Sequence, residues 1–268
     1  MSRCATCRAV STSAGLWRSS GGSIRTSPFT RCVSSIRCSS PTHEKAGRFI
    51  FPPTVLYKKE YTQNMIKPTW QEEEKLQKLG HRRVAGLDEA GRGAWAGPIV
   101  AAAVILFPGT KLPGLRDSKL LTPKQREKIF LQLVKKAVAW SVGIISQTEI
   151  DKHGVGRANE QAMHKAVERL RTYCPDFLLI DALKIQHTLP RKAIVKGDQK
   201  VMSIAAASII AKVTRDYIMD EAHKQYPNYG FHLHKGYGTA HHQAMLRKHG
   251  VSKLHRKSYK PIKKIIAG

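Results

Sequence analysis

The sequence predicts an α/β layered fold, and three observations carry that prediction. After Met65, apolar runs of strand length alternate with helix-like stretches for about 200 residues. The helix-like stretches have start signals and an apolar face at helical spacing. Several apolar runs stop at an acid, and strand ends are where sheets with helices packed on them build their sites.

In chain order, "RRVAGLDEA" and "PIVAAAVILF" read as strands, the second rich in β-branched residues. Thr122 opens a helix, with Pro123 at its first position and Gln125 completing a capping box. In "PKQREKIFLQLVKKAV" the helical period places Ile129, Leu133 and Val134 on one face. "AWSVGIISQ" is a third strand and "NEQAMHKAVERLRTY" an amphipathic helix. "DFLLIDAL" is a buried strand with an acid at its end, and "KAIVKGD" is another short strand. "VMSIAAASIIAKVTRDYIMDEAHKQY" is a long Ala-rich helix, and two basic helical or loop segments close the chain.

Charge narrows the function. There are 46 Lys plus Arg against 19 Asp plus Glu, a formal charge of +27. Such an excess points to a polyanionic partner, nucleic acid first and an anionic membrane surface second. No run approaches the roughly 18 apolar residues of a transmembrane helix. From Ala222 onward there are ten Lys or Arg and seven His without one carboxylate. Residues 221–268 are therefore expected to form a basic substrate-binding region, packed on a catalytic domain spanning 65–220. The histidines read as part of a nucleic-acid-facing surface, since no HxxxH stands beside a Cys or Glu to suggest zinc.

Residues 1–43 hold six Arg and eleven Ser but no Asp, Glu or Lys, a composition resembling an organellar transit peptide. In a second reading the true start is Met65, because "MIKPTWQEEEKLQKLGHRRVAGLDEAGRG" reads like the beginning of an enzyme. Both readings make residues 1–64 a disordered or removable extension. The first implies a mitochondrion or plastid, the second the cytoplasm. Of the five cysteines, only Cys174 falls in the part that reads as folded, so a reducing compartment is expected. Cys4 and Cys7 have the spacing of half a zinc site, with no second pair to complete it.

Asp88, Glu89, Asp181 and Asp198 all fall where predicted strands stop. A buried carboxylate is costly unless it is paired or binds a metal. Mg²⁺ or Mn²⁺ would relieve the repulsion among four such acids through hard oxygen ligation. Two such ions activate water and stabilise the leaving oxygen in phosphodiester cleavage. A basic groove beside an acidic metal cluster is the logic of a nuclease.

"GLDEAGRGAWAGP" resembles the signature of type 2 ribonucleases H, bacterial ribonuclease HII in particular. "RDSKLLTPKQRE", "LLIDAL", "KGDQKVMSIAAASIIAKVTRD", "YPNYGFHLHKGYGTAHH" and "HRKSYKP" resemble the family's further motifs, in family order, from about Lys67 to Pro261. The resemblance implies a ribonuclease H-like mixed sheet flanked by helices, with a basic helical C-terminal region. It implies an endonuclease that cuts the RNA strand of RNA–DNA hybrids. It also implies nicking 5′ of single ribonucleotides in duplex DNA, leaving 3′-OH and 5′-phosphate, with roles in ribonucleotide excision and RNA primer removal. Carried over by position, the ligands of two Mn²⁺ or Mg²⁺ ions are Asp88, Glu89, Asp181 and Asp198. The loop that reads the ribose 2′-OH falls on Gly91, Arg92 and Gly93, and the junction-sensing tyrosine on Tyr237. Asp117 and Lys119 match the Asp-Ser-Lys segment, with a structural role or a phosphate contact. Ala182 stands where many members have Gly. The implied partners are RNA–DNA hybrid and ribonucleotide-containing duplex DNA, with no membrane, no obligate protein partner and a monomeric chain.

Two rival readings remain beside this one. "GRGAWAG" after a strand suggests a dinucleotide-binding loop, but its spacing is one residue off and the two preceding acids would repel a pyrophosphate. A non-catalytic RNA-binding protein fits the charge but gives no reason for acids at four strand ends. Asp216, four residues after Lys212 on the long helix, reads as a helical ion pair.

Overall fold

The computed structural model describes residues 67–183 and 185–267; the expectation for residues 1–64 lies outside the described residues. Helix α1 (Gln71–Lys78) leads into strands β1 (Val84–Ala90) and β2 (Ile99–Ile105). There follow α2 (Pro123–Lys136), β3 (Ala139–Ile145), α3 (Gln147–His153), α4 (Val155–Arg169), β4 (Phe177–Asp181) and β5 (Arg191–Ile194). The short α5 (Gly197–Lys200) turns the chain into the long α6 (Met202–Gln225), and α7 (Phe231–His234), α8 (Ala240–His249) and α9 (Lys260–Ala267) close it.

The sheet order is β3-β2-β1-β4-β5. β1, β2 and β3 form an antiparallel meander, while β4 runs parallel to β1 and β5 parallel to β4. This is the mixed sheet that the resemblance implies. Every residue of β2 is buried, because helices cover both faces. On one face Ala158, Ala162, Met163 and Ala166 of α4 pack on Ala85, Leu87, Ala101 and Ala103. On the other, α2 and α6 pack on Ala90, Ala102 and Val104. Small residues allow the close approach. A Cβ on Gly86 would lie 2.2 Å from the Ser203 backbone carbon, so a side chain there would push α6 off the sheet. The alanine run Ala205–Ala207 is wholly buried for the same reason.

Thr122 and Gln125 form the expected reciprocal cap of α2. Ile129 and Leu133 are buried, but Val134 is 40% exposed and does not share their face. It lies five residues beyond Ile129, about 140° round a helix.

The end of α6 and the elements after it enclose a second core of Met219, Tyr229, Phe231, Leu246 and Ile262. That core is stitched to the loop between β1 and β2. Trp95 and Ala96 N–H donate to the Gly236 carbonyl, Gly97 N–H to that of Leu254, and Arg256 N–H to that of Trp95. The basic tail thus stands beside the segment that follows the first acids. Among the described residues no helix is long and apolar enough to cross a membrane.

Candidate active site

β1 does not stop at Asp88, as the sequence alone suggests, but runs on to Ala90 paired with β2 alone. What stops is the pairing with β4, whose last partners are Leu87 and Ile180. Asp88 and Asp181 are the next residues on these two parallel strands, so register alone brings them side by side. Asp198 comes from beyond β5, in the first turn of α5, rather than from a strand end. One carboxylate oxygen from each of Asp88, Asp181 and Asp198 lies within 4.8 Å of the others.

Glu89 flanks this group without joining it at that distance, and strand geometry gives the reason. Successive side chains leave opposite faces of a sheet. Asp88 faces α6 and the hydroxyl of Ser208, which favours its charged form, and Glu89 faces α4 and the buried amide of Asn159. Asp88 Oδ1 accepts from the Glu89 N–H at 2.7 Å, and Asp181 Oδ1 from the Gly197 N–H at 2.6 Å.

The electrostatics favour a cation. Burial, then the charges of Glu89 and Asp181, push the Asp88 carboxyl well above its ordinary range. Burial also raises Glu89, against the pull of Asn159 and Arg92. Asp181 is raised by burial and by the charge of Asp198, against the Gly197 N–H. Lys119 reaches in, its Nζ 3.2 Å from Asp198 Oδ2. Burial tends to lower Lys119, but Asp198, Asp117 and Asp88 together hold it above its usual value. Three hard oxygen donors whose charges are held at a cost fit a hard divalent ion such as Mg²⁺ or Mn²⁺. Asp117 is structural here: it accepts from the Lys119 N–H at 2.9 Å and from Gln199 Nε2 at 3.0 Å. The Lys212–Asp216 pair forms at 2.5 Å, as read from the helix spacing, and Arg126 joins it at 3.7 Å.

Beyond β1 the chain turns through Gly91, Arg92 and Gly93. Gly91 has φ +91°, and a Cβ there would lie 1.9 Å from Arg215 Nε, so the fold itself demands glycine. Gly93 differs: it is exposed, and a Cβ on it would meet no protein atom within 4 Å. Arg92 points its side chain outward, 4.0 Å from Glu89, while its carbonyl accepts from Arg256 Nη1 at 3.0 Å and from the Tyr259 hydroxyl at 2.5 Å.

Two wholly buried arginines hold this loop. Arg215 donates to the carbonyls of Pro98, Ala96 and Lys235, and Arg256 to those of Gly97, Pro98 and Arg92. Arg215 also stands 5.2 Å from the Tyr237 ring, and Lys212 Nζ 5.7 Å from it. Half-buried Tyr237 lines a groove with Arg126, Lys212, His232 and Lys235. The basic tail is therefore not uniformly a phosphate-facing surface. Arg256 is inside, and so are His234, His242 and His255, contrary to the expectation that the histidines face nucleic acid. Arg215, Arg256 and Asn159 went unnoticed in the sequence. For Arg215 and Asn159 the available signal was a charged or polar residue within an otherwise apolar or small-residue helix face; Arg256 lies in a loop between α8 and α9 and carried no such signal.

The ribonuclease HII family model matches residues 85–262. The ribonuclease HII of Geobacillus kaustophilus is 49% identical over 205 residues, 75% of this chain and 78% of that protein. That of Chlamydia caviae is 50% identical over 195 residues, 72% of this chain and 92% of that protein. Among solved structures, ribonuclease H2 from Pyrococcus horikoshii OT3 superposes with a TM-score of 0.57 at 27% identity, covering 69% of this chain and 97% of that one. The carboxylate cluster, the arginine-held glycine loop and these matches agree: the chain belongs to the ribonuclease HII family, a hydrolase acting on RNA–DNA hybrids.

Proposed function

We propose that the protein nicks duplex DNA on the 5′ side of single embedded ribonucleotides, as well as cutting the RNA strand of continuous hybrids. Water adds across the P–O3′ bond: its oxygen joins phosphorus, and the leaving O3′ takes a proton. The products are a 3′-hydroxyl and a 5′-phosphate on the ribonucleotide. The observation that carries this reading is the approach of the Asp88, Asp181 and Asp198 oxygens to within 4.8 Å, beside a loop whose Gly93 leaves its outer face open.

Asp88, Asp181 and Asp198, with Glu89 at their flank, would hold two divalent ions, Mg²⁺ or Mn²⁺. Bound there, the ions supply activation of water and neutralisation of charge on the leaving oxygen. Gly91, Arg92 and Gly93 bring backbone to the ribose 2′-OH, the group that separates RNA from DNA. Lys119 offers a positive charge at the rim of the acids for the scissile phosphate. Tyr237 stacks under the next sugar, where a second 2′-OH would clash. The cleavage serves ribonucleotide excision and RNA primer removal, by a monomer without an obligate partner.

Tyr237→Ala, assayed side by side on a single-ribonucleotide duplex and a continuous hybrid, tests the reading. A lost stack of roughly 1–3 kcal/mol predicts about a 5- to 150-fold loss on the first substrate. The hybrid, with contacts along its length, should lose less. Equal losses would leave Tyr237 a support of the fold.

A further inference from the structure

Three buried histidines form a ladder behind Tyr237. His242 Nδ1 lies 2.9 Å from the Tyr237 carbonyl oxygen, and His242 Nε2 lies 3.0 Å from His255 Nε2. His255 Nδ1 accepts from the Ser252 N–H at 2.9 Å, with the Ser252 hydroxyl at 2.8 Å. His234 stacks on His242 with ring centroids 4.3 Å apart. It accepts from the Gly236 N–H at Nδ1 and faces the Tyr229 carbonyl with Nε2.

These partners leave one assignment of protons. A backbone N–H only donates, so His255 Nδ1 is an acceptor and the ring carries its proton on Nε2. That proton meets His242 Nε2, which must then accept. His242 therefore carries its proton on Nδ1 and donates it to the Tyr237 carbonyl. A second proton on either ring would set N–H against N–H. Burial agrees with neutral rings, lowering both His242 and His255 to about 4.

The carbonyl reached by this chain is at a sensitive place. Lys235 and Gly236 both have left-handed backbones, φ 50° and 80°, so the chain turns sharply into Tyr237. Tyr237 N–H donates to the His234 carbonyl at 2.9 Å, and its own carbonyl also accepts from the Thr239 N–H at 2.8 Å. Fixing this peptide fixes the direction in which the ring leaves the backbone.

We propose that His242, its tautomer set by His255, is a positioning residue that aims Tyr237, and thereby sets the discrimination between a lone ribonucleotide in DNA and a continuous hybrid. This rests on the role proposed above for Tyr237.

The test uses the full chain with Tyr237→Ala, His242→Asn, His242→Gln, and Tyr237→Ala combined with His242→Gln, each assayed on both substrates. Asn places an amide donor near the position of Nδ1 and keeps the link to the carbonyl. Gln reaches toward the position of Nε2 and loses it. His242→Gln should lower kcat/KM on the single-ribonucleotide duplex by about 3- to 10-fold more than on the hybrid, the worth of one hydrogen bond. His242→Asn should restore most of it, and His242→Gln should add little to Tyr237→Ala. In the unaltered chain, long-range ¹⁵N–¹H spectra at pH 7 should show His242 as the Nδ1–H tautomer and His255 as Nε2–H. A His242 protonated on Nε2, equal losses on both substrates, or full additivity with Tyr237→Ala overturns the proposal while a discriminating Tyr237→Ala stands. A Tyr237→Ala that loses both substrates equally overturns the reading of Tyr237, and this proposal with it.

Discussion

Next to Glu89 and Asp181 in a buried setting, the Asp88 carboxylate is ionised only at a cost when no cation is bound. Asp88→Asn removes that cost and the ligand charge together. Activity with Mn²⁺ or Mg²⁺ should fall by about 10²-fold or more, as expected for losing metal-borne stabilisation. In EDTA the variant should melt higher than the wild type. The gain should be full above the raised pKa of Asp88, shrink as pH falls from there toward the ordinary 3.8, and be gone below it, where the residue is protonated both folded and unfolded. Added Mn²⁺ should reverse the order, since binding stabilises only the chain that binds. Thermal melts with and without metal check this, and a metal-free Asp88→Asn that melts lower would contradict it. Acids such as Asp88 and Asp181 were legible as a set: one carboxylate at the end of an apolar run is ordinarily a surface acid or a cap, but four in one basic chain point to a shared cation. Arg215, Arg256 and the three buried histidines were not, because in a chain of charge +27 a basic residue looks like surface.

At the scale of elements, what could be read was what is local. The Thr122 cap, the apolar strands and the Ala-rich α6 follow from propensity and period. Ser146 and Glu149 form an equally good capping box for α3, a readable signal that was passed over. α1 has no side-chain cap at Trp70 and offered none. That Asp88 and Glu89 would separate follows from strand alternation, but which face meets which helix needs the register of β1 with β4. Ala182, just past β4, sits at φ 46°, the conformation that glycine tolerates best. Ala182→Gly should relieve strain of about 1 kcal/mol, partly offset by greater freedom of the unfolded chain. A net gain of about 0.5 kcal/mol in urea unfolding at unchanged m-value is expected. A net loss would mean that the turn beside Asp181 does not strain alanine.

For the whole molecule, the described residues carry the packed clusters on the two faces of the sheet, the core of the C-terminal elements and every group assigned to the site. A chain beginning at Met65 should keep the melting temperature and turnover of the full chain, and a substantial loss of either would place a working part upstream. The convergence of acids from three separate stretches was legible only as acids at the ends of apolar runs; contact among them required the sheet order. The central claim is that Asp88, Asp181 and Asp198 with divalent ions cut at a ribonucleotide, and the most direct test is to map the cut on an end-labelled DNA duplex carrying one ribonucleotide. The account predicts a single nick 5′ of that residue with a 3′-hydroxyl end, present with Mg²⁺ or Mn²⁺, absent in EDTA, and absent from an all-DNA duplex. A nick that persists in EDTA, or no nick at the ribonucleotide with either metal, would contradict it.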